Sequence, residues 1–168
     1  DKVSFTGSLS TGRHIASVCG ERIGRVPLEL GGKSAAIVLD DYPLDEAAAS
    51  LVSGLCVLSG QNCAALTRVI VSRKRHDERV ELLAKEMQTV TIGDPYDPET
   101  KLGAITMKAQ LERIEGYVAK GVEEGATLVT GGKRPSHLST GLYFEPTLFA
   151  NVDNTMTIAQ EEIFGPVL

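Results

Sequence analysis

The sequence predicts an α/β fold with a largely parallel sheet flanked by helices. Three observations carry that expectation. Short, strand-like apolar runs alternate with helical stretches along the chain, the pattern of parallel strands joined by helical crossovers. The run Ala35-Ala36-Ile37-Val38-Leu39 is apolar without interruption, which suits a strand buried on both faces. Leu111, Ile114, Val118 and Val122 recur at helical spacing, the stripe of a helix laid on a core.

Taken in order, residues 3–6 alternate apolar and polar and then meet Gly7-Ser8. Ser10 or Thr11 is placed to cap a helix over residues 12–19, with Ile15, Ala16 and Cys19 on one side. Residues 25–30 read as a short strand stopped by Gly31-Gly32, and residues 35–39 as the next. Asp40-Asp41-Tyr42-Pro43 breaks that strand, and Asp45 precedes an Ala-rich helix over 46–57. Gly60 ends or bends it. Residues 67–72 form a further strand, and Asp77 caps a helix with Val80, Leu83, Ala84 and Met87 on one stripe. Gly93, Pro95, Pro98 and Gly103 make 91–106 a long loop. A helix over 108–124 follows, ended by Gly125. Residues 127–130 form a strand, and 143–149 an extended stretch that Pro146 confines to an edge or an irregular path.

Composition excludes several classes. The chain has 168 residues, 42% hydrophobic and 23% charged, enough to bury a sizeable core. Its net charge is -5, and the one basic cluster, Arg73-Lys74-Arg75-His76, runs straight into Asp77 and Glu78. That is a solvated loop, so no nucleic-acid partner is expected. No apolar run approaches the roughly 20 residues of a membrane span, and no membrane partner is expected. Three cysteines, Cys19, Cys56 and Cys63, do not make a disulfide framework, which points to a reducing, cytoplasmic location. There is no Cys-x-x-Cys, and His14, His76 and His137 are scattered, so no metal site is expected. Both ends read as cut: the chain opens in Lys2-Val3-Ser4-Phe5 without Met and stops at Gly165-Pro166-Val167-Leu168. The expectation is a piece of a longer protein.

Two groups invite chemistry. Cys63 follows Gly60-Gln61-Asn62 on what reads as an exposed turn, whereas Cys19 and Cys56 sit in apolar helical contexts and read as small core residues. A lone thiol is more often structural than nucleophilic, and its reactivity rests on how far its pKa falls below about 8.5. Glu29 lies between Leu28 and Leu30, in a segment expected to be buried. A carboxyl buried there is either raised in pKa, as a general base needs, or neutralised by a salt bridge to Lys33 or Arg25. The strand–Gly7-Ser8–helix turn offers backbone N–H groups to a phosphate or is an ordinary turn; it is neither Gly-x-Gly-x-x-Gly nor a P-loop.

Four segments in order, Phe5-Thr6-Gly7-Ser8 with Gly12, Leu28-Glu29-Leu30-Gly31-Gly32-Lys33-Ser34, Gly60-Gln61-Asn62-Cys63 and Glu161-Glu162-Ile163-Phe164-Gly165-Pro166-Val167, resemble the aldehyde dehydrogenase superfamily. The resemblance covers essentially the whole chain but only about the middle third of a family member. It implies an aldehyde dehydrogenase-like α/β fold, with residues 1–32 the end of the NAD(P)-binding domain and 33–168 a truncated catalytic domain. It implies Cys63 as the nucleophile, whose thiohemiacetal yields a hydride to NAD or NADP and leaves a thioester, and Glu29 as the base that activates water. The Cys63 N–H becomes part of an oxyanion hole. By the same resemblance Gly7, Ser8 and Gly12 lie near the cofactor pyrophosphate, Leu30 and Gly31 line the nicotinamide, and Glu162 and Phe164 touch its ribose and ring. It also implies an aldehyde substrate and a homo-oligomeric full-length protein.

One departure is Cys56, where the family usually has an aromatic or aliphatic residue; a change in local packing is expected. The second oxyanion donor, an Asn, and half of the dinucleotide fold lie upstream of residue 1, so residues 1–168 alone are expected to be inactive. Relatives that pass the thioester to CoA or phosphate often lack the base, and non-catalytic members typically lose the Cys or the Glu. Cys63 and Glu29 are both present here.

Overall fold

The computed structural model describes residues 1–168 and divides into two compact units, Asp1–Gly32 and Lys33–Leu168. In the first, β1 (Phe5–Gly7) and β2 (Leu28–Leu30) run parallel, with Phe5 opposite Leu28 and Gly7 opposite Leu30. The connecting helix α1 (Leu9–Glu21) starts earlier than residue 12 because Ser8, rather than Ser10 or Thr11, caps it. The Ser8 Oγ accepts the Thr11 N–H at 3.3 Å, and such a cap contributes about 1 kcal/mol. The helix lies close against β2. A Cβ at Gly12 would stand 2.6 Å from the end of the Leu30 side chain, so a larger residue there would have to displace Leu30.

The second unit opens with β3 (Ser34–Val38), α2 (Leu44–Cys56) and β4 (Leu66–Val71), a second parallel pair joined by a helix. These elements lie within one or two residues of their expected bounds, the usual scatter of helix and strand ends. Helix α3 (His76–Gln88) packs on α2. Asp77 does not cap it: the N-cap is Arg75, without a side-chain hydrogen bond. Asp77 and Glu78 instead occupy the first turn, where carboxylates meet the positive end of the helix dipole. The α2–α3 core gathers Leu51, Leu55, Cys56, Leu83 and Met87, with Leu102 brought in from the loop 91–106.

Ala36, Val38 and Val69 face this core. The opposite face is bare, so the expectation of a strand buried on both sides is not met. Ile37 and Ile70 are paired in register, yet are 70% and 49% exposed. Alternation along β3 puts only every second side chain on the helix-covered face.

A second core forms around α4 (Lys108–Glu123), the antiparallel pair β5 (Thr127–Thr130) and β6 (Leu148–Ala150), and the short α5 (Thr157–Gln160). Leu111 and Ile114 of α4 are 0% exposed against Phe144, Phe149, Ile163 and Val167. Each such side chain is stabilised by about 1.5–3 kcal/mol of burial. Val122 was expected on this stripe but is 51% exposed. Its place is taken by Gly121, where a Cβ would stand 2.9 Å from Ile158. Gly125, at φ +95, ends the helix region as expected. The extended stretch after Pro146 continues into β6 and pairs with the chain end: the Thr147 N–H donates to Pro166 O and the Phe149 N–H to Leu168 O, each at 2.8 Å.

Candidate active site

The thiol loop begins where α2 ends. Leu58, Ser59 and Gly60 take left-handed backbone angles in succession, φ 51, 57 and 73. Such a conformation costs about 1–2 kcal/mol for each residue with a Cβ, and it turns the chain sharply after α2, with Ser59 and Gly60 buried in the turn. At Gly60 a side chain is excluded a second way, because a Cβ would overlap the Gly165–Pro166 peptide. Gln61 then fastens the loop at two points: its Nε2 donates to Thr106 Oγ1 and its Oε1 accepts the Thr106 N–H, both at 3.0 Å. This gives the long loop 91–106 a task, since its last residue holds the turn before Cys63. Asn62 builds the turn itself, its Oδ1 accepting the Ala64 N–H and its backbone O the Ala65 N–H, each at 3.0 Å. Cys63 stands exposed on that turn, while Cys19 and Cys56 are buried and no disulfide links them.

The segment carrying Glu162 and Phe164 reaches the same place through Gly165. Phe164 itself is left-handed, at φ 60. Three side chains on one flank of α4 hold this segment. Gln110 Nε2 donates to Ile163 O and Phe164 O, both at 2.9 Å, and Arg113 Nη2 donates to Glu162 O at 2.8 Å. The Tyr117 hydroxyl donates to Glu161 Oε2 at 2.6 Å. Sequence reasoning assigned α4 to the core and missed this flank; the polar residues at 110, 113 and 117, spaced three and four apart beside the apolar stripe, were the available signal.

Lys33, at the entry to β3, is drawn into the same unit's electrostatics. Burial, followed by the charge of Arg68, pushes its ammonium down to about 8, and the Glu162 carboxylate partly offsets both. Arg68 Nε also donates to Lys33 O at 3.0 Å.

In the first unit, Gly7, Ser8, Gly12 and Leu30 gather where β1 turns into α1, with Gly31 directly after β2. Glu29 lies at the centre of β2 but is exposed. The burial on which the sequence argument for a raised carboxyl depended is therefore absent, and Glu29 makes no ion pair with Arg25. A three-residue strand covered on one side leaves its middle side chain on the open face.

These elements and the order of the four segments fit one known family. The family model for the aldehyde dehydrogenase family matches residues 1–168. The chain belongs to the aldehyde dehydrogenase family. It is 45% identical over 168 residues to a betaine aldehyde dehydrogenase of Agrobacterium fabrum, covering 99% of this chain and 34% of that protein. A mutant aldehyde dehydrogenase C of Pseudomonas syringae, solved with NAD+ and octanal, is similar at TM-score 0.97 and 41% identity, over 100% of this chain and 35% of that one. An aldehyde dehydrogenase of Mycobacterium tuberculosis, solved with NAD+, is similar at TM-score 0.95 and 47% identity, over 100% and 35%. The fold is the α/β fold of that family, and the chain spans about a third of the length of these relatives. No helix is long and apolar enough to cross a membrane.

Proposed function

We propose that this chain is the nucleophile-bearing part of an NAD(P)+-dependent dehydrogenase that oxidises an aldehyde to a carboxylic acid. The observation that carries the reading is the thiol loop. Cys63 stands exposed on a turn built by Asn62 and clamped by Gln61, and Gly60 joins that loop to the segment bearing Glu162 and Phe164. In this reading Asp1–Gly32 is the end of the cofactor domain and Lys33–Leu168 a truncated catalytic domain.

The Cys63 thiolate adds to the aldehyde carbonyl, forming a C–S bond and a thiohemiacetal oxyanion that the Cys63 N–H helps to hold. When bound, NAD(P)+ would supply the hydride acceptor. The residues present suit it: Gly12 leaves no side chain where α1 meets Leu30, and the first N–H groups of a helix suit a pyrophosphate. Gly7, Ser8 and Gly12 would take that pyrophosphate, Leu30 and Gly31 the nicotinamide, and Glu162 and Phe164 its ribose and ring. Loss of hydride leaves an acyl thioester on Cys63. Glu29 removes a proton from water, the hydroxide adds to the thioester carbonyl, and the carboxylic acid leaves as the thiolate is restored. Glu29 in its full motif favours hydrolysis over transfer to CoA or phosphate. Its presence together with Cys63 argues against a non-catalytic member.

The test is NAD(P)+ reduction by the full-length protein with a panel of aldehydes that includes betaine aldehyde, for which one relative is named, and octanal, bound in the structure of another. Reduction without added CoA or phosphate, with free acid as product, is the expected result. No reduction with any aldehyde and either cofactor would remove the reading. The 168-residue chain alone is expected to be inactive, since half the cofactor site and the second oxyanion donor lie outside it; turnover by that chain would overturn the domain assignment. A cytoplasmic homo-oligomer is the accompanying assignment, tested by fractionation and by light scattering of the full-length protein.

A further inference from the structure

We propose that Gln110, Arg113 and Tyr117 act together as a positioning device, holding residues 161–164 in the one backbone conformation in which Glu162 and Phe164 can serve a bound dinucleotide. The inference rests on the functional reading above. Its basis is geometric. Each of four consecutive residues takes a hydrogen bond from α4: Glu161 through its carboxylate from Tyr117, Glu162 through its carbonyl from Arg113, and Ile163 and Phe164 through their carbonyls from Gln110. Arg113 also donates to the Tyr117 hydroxyl at 3.2 Å and lies 5.2 Å from the centroid of its ring. Arg113 and Tyr117 are therefore tied to each other, and Gln110 joins them through the segment that all three hold.

Two features separate this from ordinary helix packing. Phe164 is left-handed at φ 60, a state that a residue with a Cβ keeps only where its surroundings impose it. The two-carbonyl grip of Gln110, made on either side of the Phe164 nitrogen, is such an imposition. Next, Gly165 is pressed between Gly60 of the thiol loop and Ile114 of α4, since a Cβ there would overlap the Ile114 side chain. The same helix thus fixes the segment through polar bonds on one side and an apolar contact on the other. Without the polar bonds, Gly165 would stay seated while residues 162–164 relaxed toward ordinary backbone angles. The side chains of Glu162 and Phe164 would then be carried away with the backbone, and Cys63 would be left in place.

The variants are Gln110→Met, close in shape but without a donor, and Tyr117→Phe, made in the full-length protein. KM for NAD(P)+ should rise and the single-turnover rate of hydride transfer should fall, each on the order of ten- to a hundredfold, as expected for misplaced reacting groups. Acylation of Cys63 by p-nitrophenyl acetate, which needs the thiol but transfers no hydride, should be unchanged, as should KM for the aldehyde. Arg113→Lys, which keeps a donor, should lie nearer to wild type than Arg113→Met. A purely structural role would lower thermal stability and acylation together and leave KM for the cofactor alone; that result overturns the proposal. So does wild-type KM and hydride transfer in the Gln110→Met, Tyr117→Phe double variant. If the wild-type protein reduces no cofactor with any aldehyde, the functional reading fails and this proposal fails with it.

Discussion

Cys56 and Cys63 are seven positions apart and live in opposite surroundings. Cys56 is the last residue of α2, packed with Leu55, Leu83, Met87 and Leu102. Burial pushes its thiol up to about 11, with Lys101 offsetting a little. Cys63 is exposed on an Asn62 turn. Between them lie three left-handed residues, Leu58, Ser59 and Gly60. The contrast teaches that the backbone between the two cysteines divides their chemistry: the left-handed run turns the chain, with Ser59 and Gly60 still buried, and the second thiol is reached in the open only beyond it.

The largest effect that could break the comparison is catalytic. Cys63→Ala in the full-length protein should lower aldehyde-dependent NAD(P)+ reduction by roughly 10³-fold or more, while Cys56→Ala should leave it near wild type; equal losses would show that the division is false. Next comes reactivity. At pH 8, iodoacetamide should label Cys56 roughly a hundredfold more slowly than a free cysteine of ordinary pKa, because the thiolate is the reacting form. Peptide mapping over time should find Cys63 labelled first.

Smaller effects sharpen the account of the turn. Gly60→Ala adds a methyl against the Gly165–Pro166 peptide at a residue already at φ 73. Urea denaturation should show a loss of about 2 kcal/mol or more, and Gly54→Ala, in open space on α2, should show none. The smallest effect is the pH dependence contributed by Cys56. Its folded pKa, about 11, lies above the ordinary value of 9.0. Between these values the unfolded chain has lost a proton that the folded chain keeps, so stability falls as pH rises through the window. Lys33 works in the opposite sense. Its folded pKa of about 8 lies below 10.5, so its contribution to stability rises with pH over that range. The difference between wild type and Cys56→Ala cancels the Lys33 contribution and should isolate the downward slope between pH 9 and 11.

Much of the fold was legible because its signals are local. The strand 127–130 and the helix from 108 were readable from periodicity, and the Gly125 stop from its type. Where sequence reasoning went astray, a tertiary partner decided, except at the start of α1. Ser8 takes the cap in place of Ser10 and Thr11 because it is the last extended residue before the helix, and both of the others lie inside it. Val122 lost its core position to Gly121 because Ile158 and Phe149 come too close for a larger residue. Ile37 and Glu29 were expected to be buried from their apolar neighbours, but covering a strand needs a second layer on each face, and one face of each strand is open here. At the site, the residue types of the motifs were plain, and the polar partners were not. Thr106 and Gln110 have no distinctive sequence context; their use depends on what loops back to meet them.

The seating of Gly60 against Gly165 also has a consequence in time. The two residues are 105 positions apart, and synthesis runs at about 5–20 residues per second, so the second leaves the ribosome roughly 5–20 s after the first. For that interval the turn before Cys63 has emerged without the peptide that excludes any side chain at residue 60. The nucleophile is made early and its seat is made late, and the thiol loop cannot be completed before residue 165 has emerged.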